Sequence, residues 1–280
     1  MTRLDKYRKD IFECEEKLAI NPQDIDALYC KGNALSSLDE YKEAILCFDK
    51  ILVINPNHVD TFYHKGFSHS FLREYKEAIL CFDEVLEKKS NQIDALYHKG
   101  CALTFLGEYK EAILCFDEIL VINPNHVDAL YYKGNSHYSL GDHVEAILCF
   151  DKILEIEPAN IEALYSKGIT HSSLEEREKA ILCFNEVLEI KPKHVDALYH
   201  KGFELGLLDK SREAILCFNE VLEIEPKHVD ALYHKGLVLG EIDEYKEAIL
   251  WFDKVLEIEP KHEGVLHIKK IVLTFLDEHS

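Results

Sequence analysis

The eleven residues PKHVDALYHKG occupy Pro192 to Gly202 and return unchanged from Pro226 to Gly236. They place an Asp, a Tyr, two Lys and two His within a few helical turns, the side chains from which acid–base pairs and metal sites are built. Catalysis would need more around them. The chain has no Gly-rich phosphate loop, no nucleophile elbow and no metal motif. No two of its fifteen histidines bracket a carboxylate at the i, i+4 spacing of a zinc-enzyme helix. Nine cysteines include no CxxC pair, and six recur singly at a fixed step: Cys47, Cys81, Cys115, Cys149, Cys183 and Cys217. Zinc ligands must converge, whereas one Cys per stacked unit diverges. The expectation is no enzyme, no cofactor and no metal.

The elements that position these residues follow from the same periodicity. A Lys-Gly pair places glycines at Gly32, Gly66, Gly100, Gly134, Gly168, Gly202 and Gly236, each 34 residues after the last. Alanines keep the same step from Ala44 to Ala248. Proline ends each unit from Pro22 to Pro260, with Ser90 the one exception. Each unit reads as two helices with apolar residues at helical spacing. From Val229 to His262 the spacing predicts helices over about Asp230 to Ile242 and Tyr245 to Glu259, the second stopped by Pro260. One pair is too small to bury its own faces, so stacking must supply a continuous core. The fold class is therefore all-α.

The pattern Leu-x-x-x-Gly, then Leu, Tyr, Ala-x-x-x-Phe and Pro, in 34 residues resembles the tetratricopeptide repeat. It spans seven units: 25–58, 59–92, 93–126, 127–160, 161–194, 195–228 and 229–262. Residues 1–24 read as a half repeat with a charged capping helix, and 263–280 as a C-terminal apolar helix. Two departures stand out. Leu28 and Phe62 replace the family's large aromatic near the start of the first helix, and Lys precedes the Gly throughout, as at Lys31 and Lys65. The resemblance implies a right-handed α-solenoid whose first helices line a concave groove, used as a protein–protein interaction scaffold for a peptide or extended partner segment.

Charge narrows the partner. The formal net charge is −20 and no basic run offsets it, which disfavours nucleic acid and anionic membranes and favours basic or neutral partners. No stretch approaches the roughly 18 apolar residues of a membrane span. The N-terminus lacks the apolar core of a signal peptide. Together with cysteines that suit a reducing compartment, this points to the cytoplasm.

A Tyr recurs on each first helix, from Tyr29 and Tyr63 to Tyr233, three residues after an acid and so on the same face. The candidate partner-binding residues are Asp60, Tyr63, Phe67, Asp94, Tyr97, Cys101, Asp128, Tyr131, Asn135, Tyr138, Tyr165, Asp196, Tyr199, Phe203 and Tyr233. Two roles stay open for each class. The acids stabilise helix N-termini or meet a ligand, and the tyrosines pack between first helices or line the groove. Tyr stands where the family's chaperone carboxylate clamps use Lys, which argues against such a clamp. The residue after each Tyr is never the Asn of some peptide-binding superhelices. The histidines read as turn and packing residues, with His69, His137 and His171 on the apolar side of first helices.

On the second helices Leu46 and its six counterparts to Leu250 point away from the core, either as isolated exposed leucines or as a convex contact surface. The last helix is apolar around most of its circumference, where a terminal cap should be polar outside. Leu266, Leu273 and Leu276 are therefore candidates for self-association into a homo-oligomer.

Overall fold

A computed structural model describes residues 3–278. Residues 1–2 of the expected capping segment and 279–280 of the expected C-terminal helix lie outside the described residues. These contain sixteen helices and no strand: α1 (Arg3–Ile20), α2 (Ile25–Ser36), α3 (Tyr41–Ile54), α4 (Val59–Phe71), α5 (Tyr75–Lys88), α6 (Ile93–Leu106), α7 (Tyr109–Ile122), α8 (Val127–Leu140), α9 (His143–Ile156), α10 (Ile161–Ser173), α11 (Arg177–Ile190), α12 (Val195–Leu207), α13 (Ser211–Ile224), α14 (Val229–Glu241), α15 (Tyr245–Ile258) and α16 (Glu263–Glu278). The chain divides into two compact bodies, residues 1–141 and 142–280, which are described separately.

Within each body the helices stack as antiparallel hairpins. In α7 the buried residues Ala112, Cys115, Phe116 and Ile119 make one stripe at i, i+3, i+4 and i+7. Their cluster adds Leu96 and Leu103 from α6 and Ala129 from α8, with Ile79 and Leu86 of α5 against it. One core patch thus draws on three successive hairpins, and no hairpin completes its own. The hairpin turn needs one residue with left-handed backbone. Gly107 and Gly141 hold it at φ 82°, but Asp39, Arg73, Glu175, Asp209 and Asp243 hold it at φ between 57° and 63°, which costs about 1–2 kcal/mol for a side chain.

The glycines of the Lys-Gly pairs mark the closest approach. A Cβ on Gly32 would lie 2.5 Å from Cε1 of the fully buried Phe48. The distance is 2.7 Å from Gly100 to Phe116, 2.6 Å from Gly168 to Phe184 and 2.6 Å from Gly236 to Phe252. Each phenyl ring occupies the volume that the glycine leaves empty.

Three kinds of contact recur from hairpin to hairpin. The first is ionic. Lys31 pairs with Glu15 at 2.6 Å, Lys65 with Asp49 at 2.6 Å, Lys99 with Asp83 at 2.6 Å, Lys133 with Asp117 at 2.5 Å and Lys167 with Asp151 at 2.6 Å. Lys269 pairs with Asp253 in the same way. The Lys that departs from the family pattern is therefore the cationic half of a rung. Asn219 stands where Lys235 would find its Asp. Its ammonium instead sits 3.3 Å from the centroid of Trp251, a ring shared with Lys254. Burial, then Lys254, lower the Lys235 pKa to about 8.

The second contact is a histidine cap. Nδ1 of His58 accepts from the Thr61 N–H at 3.3 Å, and His126, His194, His228 and His262 cap α8, α12, α14 and α16 in the same way at 3.2–3.3 Å. Asp24 and Asn160 do this with oxygen on α2 and α10. The third contact is polar and internal. Ser36 meets Ser68 at 2.8 Å, and Thr104 meets Ser136 at 3.4 Å. In the second body Ser172 donates to the fully buried Glu204, whose other oxygen receives Arg177 at 3.1 Å. His69 and His171, expected on an apolar side, instead contact Glu74 at 2.6 Å and Glu176 at 2.7 Å across the hairpin turn.

Two outcomes follow for stability. Gly32→Ala gains about 1 kcal/mol of helix propensity but forces Phe48 to move, so urea denaturation is expected to show a net loss of about 1–3 kcal/mol, partly restored by Phe48→Leu. Gly240→Ala, whose Cβ would meet only Val272 at 3.7 Å, is expected to be neutral or stabilising. A gain for Gly32→Ala would disprove the interlock. The second outcome concerns acid. Burial holds the imidazoles of His64, His98, His200 and His234 below their ordinary pKa. The unfolded chain therefore binds protons that the folded chain resists, so stability is full above about pH 6.5 and falls as pH drops below it. A variant with Tyr at 64, 98, 200 and 234, as already at Tyr132, is expected to lose less stability between pH 7.5 and pH 5.5 than the parent; equal losses would refute the assignment.

Candidate functional site

First helices of successive hairpins touch in each body: α2 with α4, α4 with α6 and α6 with α8 in the first, α10 with α12 and α12 with α14 in the second. Second helices make no comparable contact with one another. The first-helix side is thus the crowded face of each body, and the recurring Tyr and acid stand on it. The acids Asp60, Asp94, Asp128, Asp196 and Asp230 are exposed in the first turns of their helices, whereas the tyrosines are half-buried.

Each Tyr is held by the next hairpin. Tyr29 lies 5.6 Å from His58 and 5.5 Å from His64, Tyr165 lies 5.5 Å from His194 and 5.9 Å from His200, and Tyr199 lies 5.3 Å from His228 and 5.9 Å from His234. The capping histidine and the histidine after the next Tyr therefore bracket each of these three rings. The phenol also senses the acid of the following hairpin. Burial first, and then Asp94, raise the Tyr63 pKa; the same causes, with Asp230, push Tyr199 up to about 12. For Tyr97 burial leads, followed by Cys101, Tyr132 and Asp128, and the shift is again upward. Negative potential thus lies beside each of these phenols, and the phenols stay neutral.

The remaining sequence candidates distribute unevenly. Cys101 is half-buried against Tyr97, and burial pushes its thiol up to about 12. Asn135 and Tyr138 are half-buried on α8, and Tyr131 meets Tyr132 at 5.7 Å on the same helix. Phe203 packs edge-on to His234 at 5.0 Å and Tyr233 stacks near His262 at 5.6 Å in the second body. Phe67 leans on Phe71 at 4.7 Å and on His98 at 5.4 Å.

Phe71 and Phe105 escaped the sequence reading. They are 55% and 65% exposed, yet ordered by stacking on Tyr41 at 4.9 Å and Tyr75 at 5.1 Å. Phe71 follows Phe67 by four residues, so the signal was present on one helical face. The leucines from Leu46 to Leu250 stand 60–66% exposed. On α16, Leu266 is 49% and Leu273 40% exposed, while Leu276 is half-buried.

Among the described residues no group of three or more His, Cys, Asp or Glu side chains is placed to hold a metal ion. Among the described residues no helix is long and apolar enough to cross a membrane.

Comparison with known proteins gives this arrangement its relatives. A comparison with curated proteins returns no significant match. Among solved structures the chain is similar to YrrB, described as a TPR protein with an unusual peptide-binding site: 27% identity over 67% of this chain and 97% of that one, TM-score 0.60. It is similar to MamA from Desulfovibrio magneticus RS-1, with 25% identity over 61% and 96% of the two chains and TM-score 0.58. The C-terminal part of a TPR repeat-containing protein from Cytophaga hutchinsonii shares the fold, with 17% identity over 85% and 98% and TM-score 0.74. Tetratricopeptide models match residues 25–58, 93–126 and 127–160, and, in a second version, 161–194, 195–228 and 229–262. Segment 59–92, where Ser90 replaces the proline, is outside those matches. Proteins of this kind mediate protein–protein interactions and are generally non-enzymatic, and with most of its length matched in six repeats, this chain belongs to the tetratricopeptide repeat family.

Proposed function

We propose that the chain is a cytoplasmic, non-catalytic interaction scaffold that binds an extended segment of a basic or neutral protein on its first-helix face. In this reading seven repeats, 25–58 to 229–262, carry the face, with residues 1–24 and 263–280 flanking them. The observation that carries the proposal is the pairing of exposed acids with immobilised aromatic rings. Each Asp is free to meet a cation, and the neighbouring Tyr offers a rigid flat surface with a polar tip, which suits Lys and Arg through charge and cation–π contact. The exposed pairs Tyr41–Phe71 and Tyr75–Phe105 extend the aromatic surface of the first body. Nucleic acid and anionic membrane are poor partners for a surface of net charge −20.

Anisotropy titrations with labelled unstructured peptides, alternating Lys-Ser against Glu-Ser, would test this. The Lys-Ser peptide is expected to bind and to weaken with added salt. Neutralising Asp60, Asp94 and Asp128 to Asn should cost about tenfold in affinity, roughly 0.5 kcal/mol for each exposed charge. Equal binding of both peptides, or no effect of the triple change, would remove the acidic-groove reading.

A second reading rests on α16. Leu266 and Leu273 are exposed, while Leu232 and Leu239, their counterparts one repeat earlier, are 1% and 4% exposed. We propose that this exposed apolar face joins copies of the chain. Sedimentation of the intact chain is expected to show mass rising with concentration, and substitution of Leu266, Leu273 and Leu276 by Gln should return it to monomer. A monomer at every concentration would rule the idea out.

A further inference from the structure

The first inter-hairpin junction differs from the others at one pair of positions. At five later junctions the buried Phe of a second helix stacks on the ring after the next ladder Tyr, sixteen residues on, and only that ring is missing at Ser166 and Ile268, where Phe150 and Phe252 remain. Phe48 lies 6.2 Å from His64, Phe82 5.8 Å from His98, Phe116 6.1 Å from Tyr132, Phe184 5.8 Å from His200 and Phe218 6.3 Å from His234, all within 20–27° of parallel. Between α1 and α2 the same two positions are Cys14 and Cys30. Both rings are replaced together, by two thiols.

Those thiols occupy facing positions. The Lys31–Glu15 pair, one residue along from each of them, closes to 2.6 Å and holds α1 and α2 in the same register as the later junctions. Cys14 is 3% exposed, whereas Cys30 opens to solvent, and both are free thiols. A small oxidant can therefore reach one member of the pair, and the second is already beside it. The other cysteines of the first body are Cys47, Cys81 and Cys115, buried one to a second helix beside the Phe that fills a glycine notch, and Cys101, half-buried on α6.

We propose that Cys14 and Cys30 form a reversible disulfide that fastens α1 to α2. A small disulfide such as oxidised glutathione supplies the oxidising equivalents. The Cys30 thiolate attacks one sulfur, the small disulfide breaks, and one glutathione thiolate leaves. Cys14 then gives up its proton and attacks the Cys30 sulfur, expelling the second glutathione. Two protein thiols are oxidised and one small disulfide is reduced to two thiols. Burial, then Cys30, push the Cys14 thiol up to about 12. Its thiolate is scarce at neutral pH, so the second step is slow and speeds up about tenfold per pH unit.

The test uses the full chain, folded, with millimolar oxidised glutathione, alkylation of free thiols and mass spectrometry of a non-reducing digest. A mixed disulfide at Cys30 is expected first, then a Cys14–Cys30 cross-link whose rate rises with pH between 7 and 9, while Cys47, Cys81 and Cys115 stay reduced. Hydrogen exchange of the α1 amides is expected to slow at least about tenfold on oxidation, because the link closes a short loop and suppresses fraying. Dithiothreitol should reverse this, and Cys30→Ala, a change at an exposed position, should abolish it. A Cys30 mixed disulfide that never closes, or a cross-link from Cys14 to another cysteine, would overturn the proposal.

Discussion

A phenyl ring needs a vacancy to lie across a neighbouring helix, and the glycine of each Lys-Gly pair supplies it. With a Cβ 2.5–3.0 Å from its nearest neighbour in every such pair described, the two helices of a hairpin sit closer than any side chain would allow. That proximity sets the other contacts. It seats the Phe against the next hairpin's His, fixes the height at which Lys meets the preceding Asp, and turns the following Tyr toward the capping His. The glycine weakens its own helix by about 1 kcal/mol relative to alanine, and the buried aromatic area offsets this several times over.

Stability in such an array is the sum of what each hairpin does alone and what it does with its neighbours. Here the neighbour share is chemically varied. Ion pairs, ring stacks and hydroxyl rungs all cross from one hairpin to the next. The exposed ion pairs contribute little individually, up to about 1 kcal/mol, so their main effect is to select register. The buried Glu204 with Ser172 and Arg177 is costlier to assemble, and it occurs at a position that is Ala34, Ser68, Ala102, Ser136, Thr170 or Val238 in other copies. It makes that junction chemically distinct from the rest.

The same contacts shape the interaction face. A tyrosine bracketed by two histidines loses little rotamer freedom when a partner arrives, which lowers the entropic cost of binding. The acid is left at the rim with water around it. On the proposed face a partner would meet a stiff aromatic floor and an exposed charged edge, while each ring is already half-buried. The two roles left open for the tyrosines are therefore not exclusive, because one ring serves two surfaces.

Much of this was legible in the sequence. The 34-residue step located both helices of each hairpin to within a residue or so, as at Val229–Glu241 against an expected Asp230 to Ile242, because Gly, Ala, Phe and Pro each answer a local demand for space or chain reversal. The Tyr and acid ladders were equally visible, since spacing of three fixes a shared face. What local pattern could not carry was any partner sixteen or more residues away. It could not reveal that Lys65 answers Asp49, that Tyr165 lies against His194 and His200, that Ser172 reaches Glu204, or that Cys14 faces Cys30. Each depends on the angle between neighbouring hairpins, which arises from packing across the whole junction. By itself the sequence determined which residues share a helical face; only the tertiary structure decided which faces meet, because that choice rests on shape complementarity between segments that are distant along the chain.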